Sequence, residues 1–406
     1  MRPVHRRLFT LAAATCVAGA GNLVAQTPNI RVAGRVQTQY SAISGDSTSA
    51  FTPSGTVTSL FEVRRLRIQA DVRIGENVTM VIQPSFEMGA LRMRDAWLRV
   101  VLARSATSGL GLTMGQEKKP LNRYELTSSN TLPSIERGAR LRGFSGAVAQ
   151  NNLLENEGYL AQDIGASVDW YGAHNRATVK VGVYNGSGES AADVNNAKTY
   201  AARGTYAVLV DDEARPLLRL GAAWMSHDRA VTATATTAAF APDSSRRSSA
   251  FGVELEWGDF RPGLHVIADL MTGDALAAGN HCLAGATAIS CRVGVARNTG
   301  NLRPNAPDSA FTSFRSLHAV SSWRWQPEDP QGTRLIKIVE PALRIDLTDP
   351  NTDRDSDAGM LITSAVSVHF SQTTVMRVGL DLYRYQDASG ASQSVRAFRV
   401  SWQANF

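Results

Sequence analysis

The sequence is poor in charged residues, in lysine and in long apolar runs. Only 19% of its 406 residues are Asp, Glu, Lys or Arg, below the roughly 25% that is typical of soluble proteins. No run of about 18 apolar residues follows the N-terminal 25 positions, which excludes an ordinary transmembrane helix. The net charge of +6 and the 43% hydrophobic content argue against disorder. Five of the 42 basic residues are Lys and the rest are Arg, whose forked group pairs with phosphate or carboxylate and stays charged in low dielectric.

Cysteine is also scarce, with three residues in the whole chain. Cys16 would suggest lipoprotein attachment, but the preceding Thr15 and Ala13 fit that pattern poorly. Cys282 and Cys291 lie close together in the chain, and in an exported protein such a pair predicts a disulfide within a loop. The alternative, a metal or redox site, lacks a CxxC motif.

The N-terminus has the pattern of an export signal. Arg2, Arg6 and Arg7 precede a short apolar stretch at residues 8–17, and small residues follow up to position 25. We therefore interpret residues 1–25 as a signal peptide that is removed on export. Its loss leaves 39 basic against 36 acidic residues, so the sequence predicts no nucleic-acid partner.

Alternation of apolar and polar residues is the dominant pattern in the rest of the chain. Across residues 398–406 every even position is apolar, and every odd position up to 405 is polar. The same alternation occurs at 31–40, 65–74, 360–370 and 374–382. Successive strand side chains point to opposite faces, so each strand has one apolar face. That face is either the core of a soluble sandwich or the lipid side of a membrane barrel with a polar interior.

Sixteen strands are predicted from this alternation. They lie near 31–42, 59–74, 77–88, 91–102, 109–118, 163–172, 176–185, 200–210, 217–227, 249–258, 262–273, 312–326, 333–347, 359–371, 374–386 and 394–406.

The connections between these strands alternate between short and long. The long ones are 43–58, 119–162, 186–199, 228–248, 274–311 and 348–358, and the exception is a short connection at 88–91. Outer-membrane barrels sort their connections in this way, whereas a soluble sandwich has no reason to do so. We predict an all-β fold: one antiparallel transmembrane β-barrel of about 16 strands over residues 26–406. Closure of the sheet pairs the backbone N–H and C=O groups of the edge strands, which lipid cannot hydrogen-bond. A barrel of this strand number encloses a water-filled lumen.

Aromatic residues near the strand ends suit the girdles found at membrane interfaces. They are Tyr40, Trp97, Trp170, Tyr206, Trp224, Trp257, Trp323, Trp325, Tyr383, Tyr385, Trp402 and Phe406.

Several short stretches resemble one known family. They are Phe61–Arg67, Met93–Leu98, Leu112–Pro120, Ile135–Arg137, Val183–Gly186, Asn195–Lys198 with Arg203, and Arg377–Tyr385 before the C-terminal Phe406. In their order and spacing they are similar to the phosphate-selective porin O and P family over almost the whole mature chain. The resemblance implies an outer-membrane barrel, often trimeric, that passes anions. This chain has few lysines, and the lysine cluster of the family has no residue-by-residue counterpart.

Cationic side chains on the polar strand faces and on the long loop 119–162 are the candidates for an anion pathway, because rings of Arg or Lys favour anions. They are Arg35, Arg65, Arg67, Arg73, Lys118, Lys119, Arg137, Lys180, Arg203 and Arg377. The alternative is that these cations pair with acids on the same faces and keep the wall solvated. We expect the loop 119–162 to fold into the lumen and narrow it, with a surface loop as the alternative.

The predicted function is that of an outer-membrane porin for passive diffusion of small hydrophilic solutes, with anions, including phosphate, as candidates. The alternative is a structural or adhesive barrel without a useful channel. No GxSxG, HExxH or phosphate-binding glycine loop occurs, so no enzyme and no cofactor are predicted. The acidic stretch 349–357 lacks the pattern of an EF-hand, so no metal site is predicted. The expected partners are outer-membrane lipid, small anionic solutes and two further copies in a homotrimer.

Overall fold

The alternating segments form strands where the period of two predicts them, with one late start at β13. The computed structural model describes residues 27–45, 58–87, 89–139, 148–191, 193, 198–229, 246–276, 311–329, 332–352, 358–386 and 392–406. The strands are β1 Asn29–Gly45, β2 Thr58–Ile74, β3 Val78–Glu87, β4 Ala90–Arg104, β5 Gly109–Lys118, β6 Gln162–Gly172, β7 Ala177–Tyr184, β8 Thr199–Val210, β9 Pro216–Arg229, β10 Arg246–Trp257, β11 Gly263–Leu276, β12 Phe311–Arg324, β13 Ile338–Asp349, β14 Gly359–His369, β15 Thr374–Gln386 and β16 Ser392–Asn405.

Every strand pairs antiparallel with its neighbours in sequence, and β1 pairs with β16 to close the sheet into a barrel. At the closure, the Gly34 amide donates to the Phe406 carbonyl at 2.8 Å, and the Phe406 amide donates to Gly34 at 3.0 Å. The C-terminal residue therefore completes the ring of backbone hydrogen bonds. The prediction of an antiparallel β-barrel with 16 strands is confirmed.

The two faces of the sheet differ as the alternation requires. Large apolar side chains such as Phe61, Leu91 and Leu270 are exposed on the outside. Polar side chains such as Asp346 and Gln403 are buried on the inside. An apolar outer surface of this kind matches contact with lipid.

Short and long connections lie at opposite ends of the barrel. The short-turn end carries residues 75–77, 105–108, 173–176, 211–215, 258–262, 325–337 and 370–373 between strands. The long-loop end carries the other connections, and the exception is the short connection between Glu87 of β3 and Ala90 of β4. Cys282, Cys291 and the predicted signal peptide lie outside the described residues, so the disulfide and the signal peptide remain predictions.

One strand begins well after its predicted start. β13 begins at Ile338 rather than at 333, because Asp329 accepts hydrogen bonds from the Thr333 amide at 3.0 Å and from the Lys337 ammonium at 2.5 Å. These bonds hold the preceding residues in a turn, where Leu335 is exposed. A lysine bond to Asp329 lowers the pKa of that carboxyl group.

Two β-bulges alter the direction of side chains near the long-loop end. In β2 the pairing with β1 shifts at Arg64, which has no partner residue in the register with β1. Arg64 and Arg65 are both buried inside the barrel. In β4 the pairing with β3 shifts at Arg94, next to Asp95. A bulge places two neighbouring residues on one face, which strict alternation forbids. Each bulge therefore adds one cation to the interior.

Two short helices lie in the long connection between β5 and β6. They are α1, Arg123–Leu126, and α2, Gln150–Asn156. The side chain of Asn122 caps α1 by accepting from the Glu125 amide at 2.8 Å. Both helices fall inside the stretch that was predicted to be a loop. The sequence did not predict them, because neither is long enough to show a helical period. None of the described helices is long and apolar enough to span a bilayer.

Part of the barrel interior is apolar, which the alternation did not predict. Leu153 and Leu154 of α2 are fully buried in one cluster with Met225, Phe314 and Tyr383 from the inward faces of the strands. Each such burial contributes roughly 1.5–3 kcal/mol. This apolar cluster attaches residues 148–160 to the wall.

The assignment of Tyr383 and Tyr385 to an outer girdle is wrong. Both are buried inside the barrel, where the Tyr383 hydroxyl donates to Asp381 at 2.8 Å. Their odd numbers place them on the same strand face as Arg377, so the period of two assigns them correctly. Trp224, Trp323 and Phe406 are exposed, as a girdle requires.

Candidate functional site

The described residues of the connection between β5 and β6, 119–139 and 148–161, lie inside the barrel and contact the inward faces of strands on several sides. Arg123 of α1 donates to both oxygens of Glu256 on β10, at 2.7 and 2.6 Å. The Gln150 amide of α2 donates to Asp346 on β13 at 3.1 Å. These contacts fix the segment across the lumen rather than above it.

The tip of this segment reaches the opposite side of the wall. The Asn130 carbonyl accepts from Arg377 on β15 at 2.7 Å, and the Ser129 hydroxyl accepts from Arg35 on β1 at 2.9 Å. The predicted pathway residues Arg35 and Arg377 are therefore buried beneath the segment. They hold the segment in place.

Glu136 is the main attachment point between the segment and β2. It accepts two hydrogen bonds from Arg64, at 2.6 and 3.0 Å, and one from Arg65 at 2.8 Å. Its backbone carbonyl accepts from Arg344 on β13 at 2.8 Å. All of these side chains are buried. Arg65, predicted as a pathway residue, is thus covered and paired.

Glu87 at the end of β3 is shared by three arginines. Its carboxylate accepts from the Arg67 Nε at 3.0 Å and lies 3.8 Å from Arg64 and 3.9 Å from Arg94. Arg67 keeps 12% of its side chain exposed. Arg64 and Arg94 also pair with Glu136 and Glu189, so the four arginines at positions 64, 65, 67 and 94 face three carboxylates and one positive charge remains uncompensated.

Glu125 of α1 is shared in the same way by Lys118 and Arg137. Its oxygens lie 3.4 Å from the Lys118 Nζ and 3.5 Å from the Arg137 Nε. Burial raises the pKa of Glu125, but the charges of Lys118 and Arg137 outweigh that effect and lower it below 4.5. The carboxylate is therefore charged at neutral pH.

These groups form one cationic cluster where the segment meets β1–β5. We define the cationic cluster as Arg35, Arg64, Arg65, Arg67, Arg94, Lys118 and Arg137. The carboxylates among them are Glu87, Asp95, Glu125, Glu136 and Glu189. Seven positive and five negative charges leave an excess of two positive charges in this part of the lumen.

The other predicted pathway residues lie outside the cationic cluster. Lys180 and Arg203 face each other on β7 and β8, and each is paired with an acid. Lys180 lies 2.5 Å from Glu117, and Arg203 donates to Glu254 at 3.2 Å. These two cations follow the alternative expectation of cross-strand pairing.

Two further predicted residues occupy quite different surroundings. Lys119 is buried and donates to the Gly158 carbonyl at 2.8 Å. Arg73 is exposed near the short-turn end of β2. Neither contributes charge to the cationic cluster.

Arg64 and Arg94 are the cations of the cluster that sequence reasoning missed. By parity both belong to the lipid face, and only the two bulges turn them inward. A charged residue at a lipid-facing position of an otherwise regular strand was the available signal, because charge on that face is costly.

A closed barrel with an apolar exterior, a charged interior and an inserted segment is the architecture of an outer-membrane porin. A sequence profile of the phosphate-selective porin O and P family matches residues 30–257, more than half of the chain. The chain belongs to this family. It is accordingly an outer-membrane channel protein.

Solved structures share the fold at low sequence identity. The outer membrane channel DcaP of Acinetobacter baumannii is 12% identical with a TM-score of 0.55, over 93% of this chain and 97% of that one. An anion-selective porin from Comamonas acidovorans is 11% identical with a TM-score of 0.55, over 94% and 100%. The trimer form of OmpT, an outer membrane protein of Vibrio cholerae, is 11% identical with a TM-score of 0.52, over 94% and 100%. No curated protein sequence matches this chain.

Proposed function

We propose that this porin passes small hydrophilic anions by passive diffusion and that phosphate is among its solutes. The excess of positive charge in the cationic cluster, where the inserted segment meets the wall, is the observation that supports this proposal. An excess of positive charge in a narrow, low-dielectric passage attracts anions and repels cations.

The open part of the pathway follows the wall of β2–β5. Arg67, Lys118 and Arg137 keep 12%, 22% and 13% of their side chains exposed. Arg64 and Arg65, which hold Glu136, are almost completely covered. The partly exposed cations Arg67, Lys118 and Arg137 would contact solutes. The covered arginines Arg64 and Arg65 would hold the segment that places Arg137 beside Arg67 and Lys118.

Weak contacts suit this role better than one tight site. Each of these cations shares a carboxylate with a neighbour, and the carboxylate neutralises part of its charge. A passing anion is therefore attracted only weakly at each position. Several weak sites in succession allow an ion to leave as well as to enter. The Debye length is about 10 Å at 0.1 M salt, so added salt should reduce the anion preference.

We also propose that the barrel assembles as a homotrimer. The family resemblance implies this state, and the trimer form of OmpT shares the fold. Light scattering of the protein in detergent, corrected for bound detergent, tests it. A mass of three chains is expected, and a mass of one chain contradicts it.

Single-channel recording tests the proposed transport. Purified protein in planar bilayers should give discrete conductance steps in potassium chloride and in potassium phosphate. Arg67→Gln should lower the anion conductance, whereas Arg73→Gln, on the same strand and the same face but outside the cationic cluster, should change it less. Absence of steps from correctly folded protein would instead favour the structural or adhesive barrel.

A further inference from the structure

A short segment at the long-loop end of the barrel places a carboxylate in the cationic cluster. Residues 185–191 follow β7, and we name them the strap. Within it, Glu189 approaches β4, where its Oε2 lies 2.7 Å from Arg94 Nη1 and 3.9 Å from Arg92 Nη1. The side chains of Glu189 and Arg94 are 12% and 15% exposed.

The strap is also attached to the wall through its backbone. The Ser190 amide donates to the Gln116 Oε1 on β5 at 2.7 Å. The Gln116 Nε2 in turn donates to the Arg94 carbonyl at 2.8 Å. Gln116 therefore fixes the strap next to the bulge that turns Arg94 inward.

The pairing of Glu189 with Arg94 is incomplete. Within the described part of the chain, Glu189 Oε1 and Arg94 Nε are both buried without a hydrogen-bond partner. A planar guanidinium prefers a forked arrangement in which both oxygens of an anion are bound. Glu189 contacts Arg94 through a single oxygen at Nη1, whereas a free oxyanion is not tethered and can take the forked arrangement on one edge of the guanidinium.

The strap backbone is strained at Ser190, next to Glu189. Gly186 and Gly188 have φ values of 84° and 86°, and Ser190 has φ of 54°. Positive φ costs a glycine little but strains a serine. Glycines on one side and a strained serine on the other suit a segment that is displaced without disturbing the barrel.

We propose that Arg94, assisted by Arg92, forms an oxyanion-binding site at the long-loop mouth and that Glu189 is its internal, displaceable occupant. The site takes a small anion with a carboxylate or phosphate group, and the strap limits anion entry until such an anion replaces Glu189. This inference rests on the proposed anion pathway and adds a regulated entry site to it.

Single-channel conductance of Glu189→Gln tests the proposal, with potassium chloride, acetate and phosphate as probes. Glutamine preserves the shape of the strap and removes its charge. Conductance in acetate and phosphate should rise about twofold or more over wild type, and by a smaller factor in chloride, which cannot form the forked contact. A gain in acetate alone assigns the site to carboxylates, and a gain in both assigns it to oxyanions in general.

Matched variants separate this site from a general charge effect. Glu213→Gln, in the exposed turn at the other end of the barrel, should change nothing. Adding Arg94→Gln should remove the gain of Glu189→Gln. Heat-dependent mobility on gels checks that every variant is folded.

Three results would overturn the proposal: unchanged conductance in Glu189→Gln, an equal gain in chloride, or a gain that persists with Arg94→Gln. A wild-type protein that forms no channel would instead contradict the proposed transport itself.

Discussion

Shared carboxylates are the feature on which the interior depends at the scale of single residues. Glu136 binds Arg64 and Arg65, Glu125 binds Lys118 and Arg137, and Glu87 lies among three arginines. Removal of one partner from a buried ion pair leaves an uncompensated charge, which costs more than the pair itself contributes. Glu125 and Glu136 belong to the inserted segment, so these two carboxylates determine whether it stays in place.

Replacement of Glu136 by Gln should destabilise the protein strongly. Arg64 and Arg65, at 1% and 4% exposure, would lose their carboxylate. We expect the free energy of unfolding to fall by about 3–5 kcal/mol, measured by urea unfolding in detergent with tryptophan fluorescence. Glu213→Gln is the exposed control. An unchanged midpoint for Glu136→Gln would show that the attachment at Glu136 contributes little.

The attachment through Glu125 should weaken only in acid. Its pKa in the folded protein lies below the ordinary value of 4.5 because Lys118 and Arg137 outweigh the effect of burial. A depressed carboxyl pKa contributes stability that is present above the unfolded pKa and is lost as the pH falls through the folded value. The stability difference between wild type and Glu125→Gln should be constant from about pH 7 to about pH 5 and shrink below about pH 4.5. A difference that disappears already at neutral pH contradicts the assigned pairing.

At the scale of elements, strands and faces follow from the sequence, but their irregularities do not. The period of two predicted all sixteen strands, and β13 alone begins about five residues late because of the bonds to Asp329. The bulges at Arg64 and Arg94 depend on the pairing register with β1 and β3, and their local signal is a charged residue at a position that strict alternation assigns to lipid. The contacts of α1 and α2 are beyond local reasoning, since they join residues far apart in the chain.

The pairing of β6 with β7 depends on a close backbone approach at Gly165. A Cβ at this position would lie 2.1 Å from the Val183 carbonyl oxygen, whereas a Cβ at Gly204 in β8 would meet nothing closer than 3.9 Å. Gly165→Ala should therefore destabilise the barrel by roughly 1–3 kcal/mol, as other overpacked substitutions do, and Gly204→Ala should not. The folded fraction on semi-native gels measures this. Equal folded fractions for Gly165→Ala and Gly204→Ala would mean that β6 and β7 move apart to admit the methyl group without loss of stability.

At the scale of the whole molecule, the lumen is divided into two unlike regions. On one side, apolar residues such as Leu153, Met225 and Phe314 pack the segment 148–160 against the wall. On the other side, the cationic cluster lines the wall of β2–β5. The alternation predicted a uniformly polar interior, because a short apolar patch inside a barrel has the same local pattern as an ordinary strand face.

The most direct test of this account is the zero-current potential of the wild-type channel in a planar bilayer with a potassium chloride gradient. The excess charge of the cationic cluster predicts a potential with the sign of anion preference, well below the limit of about 59 mV per tenfold gradient for a single-charge ion. It should be larger in dilute than in concentrated salt, and smaller in Arg67→Gln. A potential of zero, or one with the sign of cation preference, would contradict the account.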